Sequence, residues 1–169
     1  MVPVLRTARF RLEPISLAHV EGMIALHADR ETLRYIGGGE AYPPEATTRM
    51  VEGMARYGRA DGFGWFAVLK HGTGTFVGAA AVQHLDLDRR KPLELAWRVL
   101  PDHRGRGVAT EAARELARFA FEDLDREAVY AVAKPGNTAS LRVMEKLGMS
   151  FVGLERHWGA NLPTYVLRR

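Results

Sequence analysis

The chain lacks cysteine, a long apolar run and a histidine pattern typical of metal sites, and each absence excludes a class of protein. With no cysteine among its 169 residues, it has neither a disulfide framework nor a cysteine-bound metal. The start, MVPVLRTARF, has no apolar core of a secretion signal. The longest plain apolar stretch, residues 76–82, is far shorter than the roughly 20 residues of a membrane span. We therefore expect a cytoplasmic protein that binds no metal and no membrane.

The composition is that of an ordinary globular protein with a basic balance. Apolar residues make up 47% and charged residues 26% of the chain, which predicts one domain over residues 1–169. The net charge of +4 has three possible explanations: a nucleic-acid partner, a polyanionic small ligand, or an arginine bias of the genome that has no function. Because the arginines are scattered along the chain, nucleic acid is the less favoured partner.

The most informative segment is residues 93–124. Apolar and polar residues alternate over residues 93–100, which predicts a strand, and a helical period follows over residues 108–124. Between them lies a basic turn, Arg-Gly-Arg-Gly, at residues 104–107. The free N–H groups and positive dipole end of a helix attract anions, glycines allow a close approach, and arginines add charge. The segment therefore predicts a phosphate site.

Two well-known phosphate loops do not fit this turn. The nucleotide P-loop requires Gly-Lys followed by Ser or Thr, and the chain contains no such triplet. The dinucleotide fingerprint requires a third glycine three residues after the second, and Thr110 occupies that position.

The turn instead resembles motif A of the GNAT acyltransferase superfamily, Arg/Gln-x-x-Gly-x-Gly/Ala, at Arg104, Gly107 and Ala109. Residues 137–149 resemble motif B of the same superfamily, and residues 5–14 resemble its first strand. The hexapeptide GVATEA within the turn and helix is similar to the RimJ/RimL-type subgroup, which contains the ribosomal-protein N-terminal acetyltransferases.

The element pattern and the resemblance agree on an α/β (α+β) fold. The family implies a mixed, mostly antiparallel central sheet of about seven strands flanked by four helices. Further strands are expected at residues 9–15, in a hairpin of 65–69 and 75–85, and in a closing antiparallel pair near the C terminus. Residues 86–91 form a charged turn, and helices are expected from Ser16 and from Pro43 to about Tyr57.

The resemblance implies an N-acetyltransferase that moves the acetyl group of acetyl-CoA directly to a primary amine in a ternary complex. The chain agrees with direct transfer, since it has neither a cysteine nor a Gly-x-Ser-x-Gly elbow to act as a nucleophile. The residues expected to contact acetyl-CoA are Trp97, Arg98, Val99, Arg104, Gly105, Arg106, Gly107, Val108, Ala109, Thr110 and Asn137.

Glu94 and Ser140 are the candidate catalytic residues. Along its strand, Glu94 is opposite in parity to its apolar neighbours. A carboxylate there can act as the base that takes a proton from an ammonium substrate. The alternative to this base role is a solvated glutamate paired with Arg98. Many GNAT enzymes have a thiol-protonating tyrosine at the position of Met144, so the resemblance gives that role to Ser140, with water as the alternative. It also implies a backbone donor for the oxyanion near Arg98 or Val99, where the family strand bulges and splays.

The acceptor is a small molecule or a protein N terminus, and its site is expected at residues 33–42 and 157–165. Both segments are aromatic and interrupted by glycine or proline, and Glu40 is their only acidic residue. We therefore expect a small, weakly charged primary amine rather than a polyamine or a basic protein tail, unless a homodimer partner supplies charge. A CoA-binding regulatory module without catalysis and a basic nucleic-acid-binding domain are the alternative functions.

Overall fold

An eight-stranded sheet forms the centre of the structure, a computed structural model that describes residues 1–36 and 38–169. Gly37, part of a glycine run in the expected acceptor segment, lies outside the described residues. The strands are β1 (Leu5–Arg6), β2 (Phe10–Pro14), β3 (Trp65–Lys70), β4 (Phe76–His84), β5 (Leu93–Val99), β6 (Ala128–Val132), β7 (Ser150–His157) and β8 (Ala160–Arg168). Their order is β1-β2-β3-β4-β5-β6-β8-β7, and all neighbours are antiparallel except β5 and β6. The expected mixed, mostly antiparallel sheet is confirmed, with the two-residue β1 as an additional strand.

The helices are α1 (Val20–Ala28), α2 (Arg30–Leu33), α3 (Pro44–Asp61), α4 (Val108–Glu122) and α5 (Thr138–Leu147). Four of them correspond to the four expected helices, and α2 is a single extra turn. The helix α3 begins at Pro44 as predicted but continues past Tyr57, until Gly62 ends it in a left-handed conformation. Within the described residues, no helix is both long enough and apolar enough to cross a membrane.

Two apolar layers enclose the sheet, because alternate residues of each strand point to opposite faces. On one face α4 packs against the sheet through a stripe of small residues, as its sequence predicts: Ala112, Ala113, Leu116, Ala117 and Ala120. On the other face α1 and α3 pack over β3 and β4, through Met23, Leu26, Val51, Ala67, Ala79 and Ala81. The strand β5 contributes to both layers, with its odd-numbered residues on the α4 side and Ala96 on the α1 side.

The strands β5 and β6 pair at one point and then part. Glu94 pairs with Tyr130, and beyond that pair β5 follows β4 up to the pair Gly78–Val99. The strand β5 therefore splays from β6, as the resemblance implies. It has no bulge at Arg98 or Val99, because its register with β4 is regular over this length. Gly78 makes the regular pairing possible, because an added Cβ there would lie 2.4 Å from the carbonyl oxygen of Arg98.

Replacing Gly78 with alanine should destabilise the fold by about 1–3 kcal/mol, because the added methyl group collides with strand backbone. Gly53→Ala is the matched control. It lies inside α3 with open space around the added atom, and helix propensity should make it more stable by up to about 1 kcal/mol. Urea unfolding measures both changes. Equal stability of Gly78→Ala and the wild type would contradict the close approach of β4 and β5.

Candidate active site

The basic turn leads into the start of α4, where no side chain of the described residues caps the free backbone N–H groups. A 3-10 turn, Pro101–His103, follows β5, and Gly107 is the N-cap residue of α4 with φ of 77°. Gly105 has φ of 69°, and both glycines therefore adopt a left-handed conformation that other residues avoid. Among the described residues, no side chain caps this end of α4. The N–H groups of residues 108–110 are therefore open to an anion, and the phosphate site expected from the sequence stays a prediction.

Basic side chains surround this helix start, although Arg104 and Arg9 are each already paired with a carboxylate. Arg104 forms an ion pair with Asp29 and a hydrogen bond with Thr32 at 2.6 Å, so it anchors the turn to α2. Arg106 is exposed, and its carbonyl oxygen accepts a hydrogen bond from Arg9 at 3.0 Å. A groove of about 450 Å³ adjoins the turn; it is lined by Ala8, Arg9, Gly107, Thr110, Glu111, Arg114 and Lys146. The shape and charge of this region suit a diphosphate.

Glu111, in the first turn of α4, binds the N-terminal hairpin to the helix start. One carboxylate oxygen accepts hydrogen bonds from the Thr7 hydroxyl at 2.6 Å and the Arg9 backbone N–H at 2.9 Å. The other oxygen accepts from the Arg9 guanidinium at 2.7 Å. The connection between β1 and β2 is therefore part of the wall of the groove.

The parting of β5 and β6 exposes one edge of the β5 backbone. The N–H of Leu100 donates to β4 at 3.0 Å, and the carbonyl of Arg98 points at Gly78 of β4. Backbone groups of successive strand residues point to opposite sides, so those of Trp97 and Val99 face the opening. The backbone donors available there are the N–H groups of Trp97 and Val99, and that of Arg98 faces β4 instead.

Glu94 is a buried carboxyl at the point where the strands part. It is 3% exposed and accepts hydrogen bonds from Gln83 Nε2 at 2.9 Å and Trp158 Nε1 at 3.4 Å. Trp65 donates to Gln83 Oε1 at 2.9 Å, and because an indole can only donate, the Gln83 NH₂ group must face Glu94. Burial raises the pKa of Glu94 to about 7, although both hydrogen bonds oppose the shift. The alternative of a solvated glutamate paired with Arg98 is wrong.

Arg98 lies on the same face of β5 as Glu94, because even-numbered residues of the strand share one face. Its Nη1 donates to His27 Nε2 at 2.6 Å, and its guanidinium stacks 4.7 Å from the centre of the Trp65 ring. Burial and the charge of Arg98 lower the pKa of His27 to about 4, so His27 is neutral at pH 7. Strand alternation gives Arg98 the parity of Glu94. The expected contact between Arg98 and acetyl-CoA stays a prediction.

A strained hairpin brings the indole of Trp158 into the site. Trp158, with φ of 52°, and the glycine after it form a two-residue left-handed turn between β7 and β8, an unusual conformation for a bulky residue. Asp86 accepts a hydrogen bond from the Trp158 backbone N–H and forms an ion pair with Lys91. His157 Nδ1 lies 3.3 Å from the same carboxylate. Asp86 therefore orients the turn that carries Trp158.

Sequence reasoning misses the roles of Gln83 and Asp86. Gln83 is the one polar residue before the end of the apolar strand β4, and the hairpin register puts it directly opposite Glu94. That register was a usable signal, since directly opposed residues in antiparallel strands are in contact. Asp86 gives no comparable signal, because its partner in the β7–β8 turn is far away in the sequence.

The start of α5 carries the remaining predicted residues. Asn137 is the N-cap, since its Oδ1 accepts a hydrogen bond from the Ser140 N–H at 3.2 Å, and Ser140 is half-buried. Met144, at the position of the family tyrosine, is fully buried in an apolar cluster and has no proton to donate. Tyr35 donates to the carbonyl of Gly136 at 3.0 Å, which brings the expected acceptor segment next to this helix start.

A family model described as an acetyltransferase (GNAT) domain matches residues 9–150, which is most of the chain. The chain belongs to the GNAT acetyltransferase family. The resemblance to the GNAT superfamily is thereby confirmed. The comparisons give no support to a nucleic-acid-binding domain or to a non-catalytic module.

GNAT relatives match different shares of the chain. It is 32% identical over 101 residues to the uncharacterised protein YkkB of Bacillus subtilis (strain 168), covering 60% of this chain and 58% of YkkB. It is 29% identical over 158 residues to the FsC-acetyl coenzyme A-N(2)-transacetylase of Aspergillus fumigatus, covering 89% and 66%. The chain thus spans less than two thirds of the length of both relatives. An acetyltransferase structure from Agrobacterium tumefaciens str. C58 matches with a TM-score of 0.86 at 25% identity, covering 100% of this chain and 96% of that one.

A further GNAT relative bears on the subgroup. The chain is 32% identical over 83 residues to the putative ribosomal N-acetyltransferase YdaF of Bacillus subtilis (strain 168), covering 49% of this chain and 45% of YdaF. This match supports the RimJ/RimL-like subgroup that the hexapeptide GVATEA indicates.

Gly107→Ala should abolish most of the rise in melting temperature that CoA causes. The methyl group blocks the approach to the free N–H groups, and a ligand stabilises only the fold that binds it. Gly72→Ala is the matched control, because Gly72 has a similar left-handed φ of 80° in open space, in the β3–β4 hairpin. Both variants should lose about 1–2 kcal/mol of stability from the strained backbone. CoA-dependent shifts of equal size in the two variants would argue against the site.

The raised pKa of Glu94 should make the wild type less stable as the pH rises. The folded carboxyl keeps its proton up to about pH 7, whereas the unfolded one releases it near 4.5, so stability falls between these values and then levels off. Relative to Glu94→Gln, which has no such group, the wild type should lose about 3 kcal/mol between pH 4 and pH 8. Urea unfolding at a series of pH values measures the difference. Parallel curves for the two proteins would rule out the raised pKa.

Proposed function

We propose that this chain transfers the acetyl group of acetyl-CoA to a primary amine by direct attack in a ternary complex, with Glu94 as the general base. The observation that carries the proposal is the buried carboxyl of Glu94 where β5 and β6 part, on the strand that leads into the basic turn. Family membership supports the reaction class. A pKa of about 7 supports the base role, because a general base works best when its pKa is near the working pH.

Acetyl-CoA brings its acetyl group as a thioester, so that a C–N bond forms as the C–S bond breaks and the thiol leaves. Residues 105–110 would hold its diphosphate through the free N–H groups and the charge of Arg106. The N–H groups of Trp97 and Val99 would stabilise the negative charge that develops on the carbonyl oxygen. Asn137, at the start of α5, is the further expected contact.

Two protons leave the amine nitrogen during the reaction. Glu94 takes the first, since an ammonium group has no lone pair for attack, while Gln83 and Trp158 hold the carboxyl in place. The departing thiolate takes up one proton from Ser140 or from water. The second amine proton leaves as the amide forms and replaces that proton, so the reaction releases only the proton that Glu94 took. Met144 has no part in that step, because it is a buried thioether.

The acceptor that suits the site best is a small, weakly charged primary amine. Asp86 is already bound to Lys91 and to the backbone of Trp158, so it offers little to a polyamine or a basic protein tail. A protein N terminus is the less favoured acceptor, and a homodimer partner is a further source of charge. Location in the cytoplasm belongs to the same proposal.

Glu94→Gln should lower kcat/KM for acetyl transfer by about a hundredfold or more, since an amide cannot accept the proton. The wild type should show an acidic limb with its midpoint near pH 7, because Glu94 must lose its proton before it can act, and the variant should lose this limb. Glu122→Gln is the control, a matched change at an exposed carboxylate of α4. Thiol release with small amines, a polyamine and a basic peptide measures the rates.

Wild-type rates in Glu94→Gln would refute the base role. Binding of acetyl-CoA without turnover of any amine would favour a CoA-binding regulatory module. A clear preference for the polyamine or the peptide would overturn the choice of acceptor.

A further inference from the structure

Arg98 is a partly buried cation without an anion. One of its five N–H donors binds His27, and the guanidinium plane stacks on Trp65. In the described part of the chain, no carboxylate forms a salt bridge with it, in contrast to Arg89, Arg104 and other arginines that do. Arg98 therefore keeps a positive charge and hydrogen-bond donors that no group of residues 1–36 and 38–169 is seen to use.

The surroundings of Arg98 favour a strong bond to an anion. The imidazole of His27 is neutral and accepts from Arg98, which fixes the guanidinium without offsetting its charge. The Trp65 face and the Tyr42 ring, 5.2 Å from the His27 ring, supply apolar walls. Burial lowers the pKa of Arg98 only to about 10, so it stays charged at neutral pH. Charge-assisted bonds are stronger where the dielectric is low, and a planar guanidinium matches a planar carboxylate.

Two carboxylates, one close in sequence to Arg98 and one close in sequence to its partner His27, are already bound to other groups. Asp29, which follows α1, is held by Arg104 and by the backbone and hydroxyl of Thr32. Glu94 is held by Gln83 and Trp158. The missing anion must therefore come from outside these groups.

We propose that Arg98 binds a carboxylate of the acceptor, so that the acceptor is a small primary amine that also carries a carboxylate, as an amino acid does. This inference rests on the proposed acetyl transfer, and it names the acceptor class of the same site. Arg98 and Glu94 share one face of β5, and four residues at about 3.3 Å each put their α carbons roughly 13 Å apart. A short amino acid bound at Arg98 would reach Glu94 through water between its amine and the carboxyl.

The test compares neutral amino acids with their carboxamides, which have the same shape without the negative charge. With acetyl-CoA and wild-type protein, kcat/KM per deprotonated amine should be tenfold to a hundredfold higher for the acid than for the amide. In Arg98→Met the ratio of acid to amide should fall to about one, and Arg98→Lys, which keeps the charge but not the planar fork, should lie between. Arg90→Met, at a side chain that is 89% exposed, is the control and should keep the wild-type ratio.

The ratio distinguishes recognition from a structural role, because a loss of stability lowers the rates with acid and amide alike. If Arg98→Met does not fold, the wild-type ratio and Arg98→Lys decide. Equal turnover of acid and amide by the wild type, or an unchanged ratio in a folded Arg98 variant, would overturn this inference and leave the proposed acetyl transfer intact. Turnover of neither member of any pair, nor of any other amine, would overturn both.

Discussion

Beyond Glu94, β5 keeps only β4 as a neighbour, and the arrangement of the site follows from this. The pairing with β4 is tight because Gly78 has no side chain. This pairing holds the end of β5 beside β4 and away from β6. On one side of the opening, the backbone donors of Trp97 and Val99 lack a strand partner. Beyond its end, the same strand enters the basic turn and the uncapped start of α4. One strand edge thus connects the free N–H groups at the start of α4 to a carboxyl whose pKa is about 7.

The indole of Trp65 joins the two ends of the acceptor face. Its N–H fixes the orientation of Gln83, which in turn points its NH₂ group at Glu94, while its ring surface carries the guanidinium of Arg98. Such a chain of directed contacts holds a carboxyl and a cation in a fixed relation without pairing them with each other. Pairing would lower the pKa of the carboxyl and consume the charge of Arg98.

Local patterns predicted the parts of the structure that depend on neighbours in sequence. Strand alternation and the helical period predict the elements, the alanine stripe of α4 and the parity of Glu94, and the glycine-arginine turn predicts a helix start with free N–H groups. They failed where distant segments meet. The sequence does not show that Arg98 meets His27 and Trp65, since both lie on elements far from it in the chain. Asp86 was part of a charged turn, and only the tertiary fold brings it to Trp158, whose left-handed backbone no propensity would favour.

The bonds from Thr7 and Arg9 to Glu111 also have a consequence for the order of folding. They join residues more than 100 positions apart, so the anion site cannot be complete until the first hairpin has docked on α4. Contacts of this sequence separation form late, since a long loop must close before they contribute. A nascent or partly unfolded chain would then have the sheet and the helix but a loosened phosphate turn. Affinity for the cosubstrate would report on the last stage of assembly.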